Sequence, residues 1–369
     1  MPNLGYLPEF AGLETIDFLS TEALAVKLLH AGFEAEDGRS QPGSMPSGER
    51  YAAAKADPSA FAWRLRLESG GDEECFRDYL ERFVSEIDTT VITALIIGDC
   101  WNPGPANDWP DQVRDLLIER CAEFPALSAL FFGEVVVAET KKISWIAQTD
   151  VSPLLDAFPA LTEFAVRGAD HMTFHGVGTF SLAWNVPRHE ALRRLTIQSH
   201  RLDPVVVRGV LASELPALEH LELFLGSADH DGARPADLAP LLSGSVFPAL
   251  KHLGLRNGQN TDELVAALAD APITRRLATL DVSLGTLTDK GARLLDTPSF
   301  GHLDRLDLHH HYMSEEMTER IRIRFTDAGV EVDTNDRQQL DEWEDWGDPE
   351  DSADEDDWEP VSYFPAITD

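Results

Sequence analysis

The chain has 369 residues, 43% of them hydrophobic and 26% charged, with a formal net charge of -35. That length exceeds what one compact core usually holds, so two domains or internal repetition are expected. A charge of that sign and size disfavours binding to nucleic-acid phosphates or an anionic membrane surface and favours a basic partner.

The opening MPNLGYLPEFAGLETIDF lacks the basic stretch and apolar core of a secretory signal. No apolar run approaches the roughly 20 residues that span a bilayer. Cys75, Cys100 and Cys121 are odd in number with no CxxC spacing, so reduced thiols in a cytoplasmic protein are expected. No set of four ligands has zinc-site spacing, and neither a metal nor a cofactor is expected. Residues 1–60 read as an N-terminal cap and linker, with 37–58, rich in Gly, Pro, Ser and charge, as a loop.

From residue 61 onward the chain repeats itself. FPAL occurs at 124–127, 158–161 and 247–250, with LPAL at 215–218. With the Leu as position one, a frame L-x-x-L-x-L fits eight times, anchored at 92, 127, 161, 192, 218, 250, 277 and 303. A weaker copy lies at Phe61–Leu67. Steps of 26 to 35 residues indicate stacked units. Apolar residues at positions four and six put two side chains on one face of a short strand, which only a neighbouring unit can bury. Between strands, 72–87 and 111–122 carry helical apolar stripes. Asp203-Pro204, Thr261 and Ser314 are expected helix caps, and Gly329 a helix stop. HMTFHGVGTFSLAW (171–184) alternates instead, so that return is expected to be β-rich.

Strand, turn and helix repeated in this frame resemble the leucine-rich repeat family, most closely its ribonuclease-inhibitor-like branch, over residues 61–333. The best single match is Leu277-Ala-Thr-Leu280-Asp-Val282-Ser-Leu284-Gly285 through Leu294-Leu295. FAGL at 10–13 is also similar to an uncharacterised group of bacterial cytoplasmic leucine-rich-repeat proteins. The resemblance implies an α/β solenoid, a horseshoe of eight or nine repeats across 61–334. A parallel sheet would line its concave face and mostly helices its convex face. The ninth position, where the family keeps Asn or Cys, conforms here only at Cys100, which implies less regular turns.

Solenoids usually bind on the sheet face, where positions three, five and seven point. These hold Phe131, Arg167, Arg194, Gln198, His220, Glu222, Phe224, His252, Arg256, Asp281, Asp307 and His309. Aromatic and arginine side chains dominate many interfaces, so Phe131, Phe224 and the three arginines are the expected anchors. Mixed polar residues on any solenoid face are the bland alternative. His309-His310-His311 alternate along an extended chain and cannot converge on one ion, so exposed or turn histidines are expected. From Asp336 to Asp369 there are 14 acidic residues against one basic. This segment, 335–369, reads as a solvated tail, or as a docking strip working through Trp343, Trp346 and Trp358. GxSxG, GxxxxGK[ST], HExxH and a strand-placed GxGxxG are all absent, and no catalytic residue stands out. The expected function is therefore non-enzymatic protein binding, in one version inhibitory or immunity-like toward a basic protein. The rival is an accessory subunit or enzyme of a modification pathway that holds an anionic small molecule on the arginines.

Overall fold

The computed structural model describes residues 5–29, 46–67, 74–101, 108–136, 142–169, 171–174, 178–226, 232–339 and 363–367. Each FPAL is a tight turn. The Leu127 amide donates to the Phe124 carbonyl at 3.1 Å, and Leu161 to Phe158 and Leu250 to Phe247 do the same at 3.1 Å. Proline occupies the second turn position, where its fixed φ suits the geometry. The Phe and Leu of all three turns are buried, so each turn also anchors the strand that follows.

Those strands form one long sheet. In chain order they are β1 (Glu9–Phe10), β2 (Leu13–Phe18), β3 (Phe61–Leu65), β4 (Ala94–Ile97), β5 (Ala129–Phe132) and β6 (Glu163–Arg167). A hairpin of β7 (His171–Phe174) and β8 (Gly178–Ser181) comes next. The series resumes with β9 (Arg194–Gln198), β10 (His220–Gly226), β11 (His252–Gly258), β12 (Thr279–Asp281), β13 (Arg305–Asp307) and β14 (Glu331–Asp333). Twelve strands pair in sequence order, parallel except for β1 against β2, while β7 and β8 pair only with each other. The register is that of the sequence frame. Leu95, Leu130, Phe164, Leu195, Leu221, Leu253, Leu280 and Leu306 stand opposite one another across eight strands. Every one of them is fully buried. A one-residue slip would turn this row to the other face, so burial fixes the pairing.

The helices cover that face. They are α1 (Thr21–Leu29), α2 (Gly48–Ala56), α3 (Phe76–Glu86), α4 (Pro110–Glu119), α5 (Ser152–Ala157), α6 (Pro204–Ala212), α7 (Ala239–Leu242), α8 (Thr261–Ala269), α9 (Asp289–Leu295) and α10 (Glu315–Asp327). Together with positions one, four and six of the frame, α3 to α10 build the main core. Asp203 caps α6 through the Val205 amide at 2.6 Å, and Ser314 caps α10 through Met317 at 3.2 Å. Gly329 follows α10 with φ +80°, a left-handed turn that glycine adopts without strain. The alternating stretch 171–184 does return as a hairpin, packed by Phe174 and Phe180 on Trp109 at the start of α4.

Two local expectations are overturned. Part of 37–58 is helical, because Ser47 accepts a bond from the Arg50 amide and an alanine run follows. Thr261 does not cap α8, since Asn260 holds that position. Its hydroxyl instead donates to the Gly258 carbonyl at 2.6 Å and accepts from the Thr286 amide at 3.0 Å, which ties β11 to the following unit.

The other face of the sheet is closed at one end by the chain's own beginning. Phe10 packs on Phe131 at 6.1 Å between ring centres, in a second apolar cluster with Ala62, Ala94, Ile96, Ala129 and Ala165. Beneath it Arg64, 1% exposed, bonds Asp17 Oδ1 at 2.8 Å, the Leu7 carbonyl at 2.7 Å and Glu134.

At the other end, residues 363–367 return to the end of β11 and to the segments that follow β12 and β13. The Ile367 amide donates to Asn257 Oδ1 at 2.8 Å, and Asn257 Nδ2 donates to the Ile367 carbonyl at 3.0 Å. The Ala366 amide reaches the Leu284 carbonyl at 2.8 Å. Tyr312 donates to the Phe364 carbonyl at 2.9 Å and packs on Tyr363. Trp343, Trp346 and Trp358 lie outside the described residues; among the described residues, the fold-back is made by Tyr363–Ile367.

Candidate functional site

Beyond β6 the second face is polar, and the register arranges it in rows. Position three runs Glu163, Arg194, His220, His252, Thr279, Arg305, Glu331 across β6 and β9 to β14. Position five runs Ala165, Thr196, Glu222, Gly254, Asp281, Asp307, Asp333. Strand spacing near 4.8 Å puts row neighbours within side-chain contact.

Glu222 is the hub. His220 Nε2 lies 2.9 Å from its Oε1 and His252 Nε2 lies 3.2 Å from the same oxygen. The two imidazoles stack with centres 3.7 Å apart. Arg256 Nη1 stands 3.5 Å from Oε2. Gly254 makes this possible, because a Cβ there would come within 2.8 Å of Glu222 Cγ and push the carboxylate off the neighbouring strand. Burial alone would raise the pKa of Glu222. The hydrogen bond from His220, the His252 imidazole 3.2 Å away and the Arg256 charge outweigh it and hold the carboxyl far below its usual range.

Arg256 continues the chain of charges to Asp281 at 3.2 Å and Ser283 at 3.1 Å, and its guanidinium covers the Phe224 ring at 5.0 Å. Burial, and then the nearby Asp307 charge, raise the Asp281 pKa against the pull of Arg256. Asp307 Oδ1 takes His309 Nδ1 at 2.7 Å, and Oδ2 lies 3.3 Å from Arg305. Donating that bond to Asp307 raises the His309 pKa, and the same pairing, against burial, lowers that of Asp307.

Several expected anchors are not at the surface. Phe131 is 2% exposed beneath Phe10, and Phe224 is 1% exposed beneath Arg256. Arg167 is buried too, bonded to Gln198 Oε1 and the Val135 carbonyl, both at 2.7 Å, and burial lowers its pKa to about 10. Aromatics on the frame's outward positions pack against other parts of the chain, which is the lower-energy place for them. The residues brought together are Arg194, Gln198, His220, Glu222, His252, Arg256, Asp281, Asp307 and His309. Arg305 and Asp333 join them. Asp333 escaped the sequence frame because its unit, Gly329-Val-Glu-Val332-Asp-Thr334, lacks leucines altogether.

The histidine triplet does not converge, but neither is it exposed. His309 turns to Asp307, His310 to Asp336 at 3.2 Å, and His311, fully buried, to the Thr334 carbonyl at 3.0 Å. His311 Nδ1 accepts the Met313 amide at 3.2 Å, so both ring nitrogens are used in the neutral form. His171 meets Ser181 at 3.3 Å, and His175 lies outside the described residues.

A pH dependence follows. Burial lowers the pKa values of His189, His220, His310 and His311. The unfolded chain then binds more protons, and stability falls as pH drops below about 6.5. His309, with a raised pKa, opposes this, and its contribution is lost as pH rises through its folded value. From pH 7.5 to 6 the net loss is expected to be on the order of 1–2 kcal/mol in denaturant titrations. His311→Gln, which cannot be protonated, is expected to lose less over the same interval. An equal loss would assign the effect elsewhere.

The fold thus defines an α/β protein built on one long, mostly parallel sheet, with one face buried under helices and, among the described residues, half of the other open and charged. Among the described residues no helix is long and apolar enough to cross a membrane. The chain is similar to a Bacteroides fragilis protein whose crystal structure comes from a structural genomics programme. The match has a TM-score of 0.62 at 28% identity and covers 71% of this chain and 70% of that one. No protein-family model and no curated protein matches the chain.

Proposed function

We propose that the protein is a non-enzymatic binding module of the leucine-rich-repeat type. Its partner is a protein bearing complementary charge, held on the sheet face of β9 to β14. The observation that carries this reading is the division of that face: its apolar half is sealed by residues 7–13, and its polar half remains open. A horseshoe-shaped solenoid would present that half as a concave surface. Arg194 and Arg305, with side chains 50% and 44% exposed, are the outward anchors, and the His220–Glu222–His252 cluster is the semi-buried floor between them. The net charge of -35 supports a basic partner, as an inhibitory or immunity-like role would require. The anionic-ligand rival has less to rest on, because Arg167 and Arg256, two of its three arginines, are turned inward to partners of their own.

The test is recovery of partners from the native cell by wild type and by Arg194→Ala/Arg256→Ala/Arg305→Ala. Loss of a stoichiometric protein from the triple variant is expected, together with weakened recovery at high salt, where exposed charges are screened. Unchanged recovery would remove the assignment.

A further inference from the structure

We propose that His220, Glu222 and His252 form a site for one divalent first-row transition-metal ion, with zinc the first candidate. The inference is independent of the partner-binding reading. Three donor atoms, two imidazole nitrogens and a carboxylate oxygen, lie within 4.8 Å of one another. The separations of the two nitrogens from Glu222 Oε1 are 2.9 and 3.2 Å. Two ligands each about 2.1 Å from a shared ion stand about 3.0 Å apart at an octahedral edge and about 3.4 Å at a tetrahedral one, so the donor spacing suits an ion once one imidazole rotates out of the 3.7 Å stack, because each nitrogen lone pair lies in its own ring plane.

The placement comes from rigid elements. His220 and Glu222 are two residues apart on β10 and so share a face, while the register sets His252 of β11 opposite His220. His252 Nε2 is buried, and although it is 3.2 Å from the carboxylate it makes no hydrogen bond of acceptable geometry. A metal ion would satisfy it. Arg256 lies on the far oxygen of Glu222 and would orient the carboxylate, as outer groups commonly do for metal ligands. Imidazole with carboxylate suits zinc, iron(II), cobalt(II) or nickel(II) better than magnesium or calcium. Three protein ligands leave at least one position for water, the pattern of an open site. Sequence spacing conceals this set, because His252 is 30 residues beyond Glu222 and the motif exists only across two strands.

The experiment is a titration of the full-length, metal-stripped protein with zinc chloride by calorimetry, and with cobalt(II) chloride by visible absorption. Both are run in millimolar magnesium to occupy loose carboxylate sites. One equivalent is expected to bind, with cobalt d–d bands and no thiolate charge-transfer band. His220→Ala, Glu222→Gln and His252→Ala are each expected to weaken zinc by more than about 100-fold, beyond the loss that an outer residue costs. Arg256→Ala is expected to weaken it by about 10-fold with stoichiometry intact. His309→Ala, in the neighbouring Asp307–His309–Asp333 group, is expected to leave it unchanged. Circular dichroism confirms that each variant is folded. Absence of a cobalt spectrum in the wild type would overturn the site whatever the variants do. So would equal zinc affinity in His252→Ala, or a spectrum dominated by thiolate bands.

Discussion

Arg64→Leu is expected to destabilise the protein by about 3–5 kcal/mol, because it removes the buried cation that Asp17 and Glu134 share. Arg64, Asp17 and Glu134 have side chains 1%, 4% and 0% exposed. Asp17 keeps a second cation, Arg66 at 2.9 Å, so Glu134 is the group that loses most, with the Arg167 charge still acting on it. Its other bond is from the Leu7 amide at 2.7 Å. The same arginine fastens the Leu7 carbonyl, so its loss frees the segment that covers Phe131. Two measurements check this. The denaturation midpoint should fall, and amide exchange should rise first over residues 7–18. Neutralising the stranded acid provides the internal control, since Arg64→Leu/Glu134→Gln should lie closer to wild type than Arg64→Leu alone. If the double variant is the worse of the two, the buried charge is not the cause.

Asn257→Ala should cost about 2–4 kcal/mol, from two sources. It removes both bonds to the main chain of Ile367, and it puts alanine at φ 56°, a left-handed conformation that asparagine tolerates better. The clamp and the backbone terms separate in a cycle. Asn257→Gly relieves the backbone and retains the loss of the clamp. Removal of residues 363–369 should destabilise wild type more than it destabilises Asn257→Gly, because the Asn257–Ile367 contact is common to both changes. Full additivity in calorimetric unfolding would show that Asn257 and the chain end act separately. Ala366 and Ile367 are nearly inaccessible, which gives the segment an apolar reason to stay docked.

Much of the sheet was legible in the sequence because its rules are local. A strand alternates, FPAL turns, and a frame repeating every 26 to 35 residues must bury its fourth and sixth positions against neighbours. Hence the row from Leu95 to Leu306, the β-rich character of 171–184 and the caps at Asp203 and Ser314 were accessible to pattern alone. Which outward residues reach solvent was not, because that depends on segments far away in sequence. Phe131 was expected as an anchor and is covered by Phe10, 121 residues earlier; Phe224 is covered by Arg256 from the next unit. The closing Phe364-Pro-Ala-Ile367 nearly repeats the FPAL spelling, but Phe364 is half exposed where the earlier phenylalanines are buried. Nearly the same letters therefore serve a turn in one place and a docked irregular segment in another. By itself the sequence determined the period, the buried row and the absence of a catalytic motif. Only the tertiary structure decided which half of the polar face is open, and that two histidines and a glutamate from adjacent strands meet there. Side-chain convergence across strands is set by register and by covering segments, and neither has a local signature in the chain.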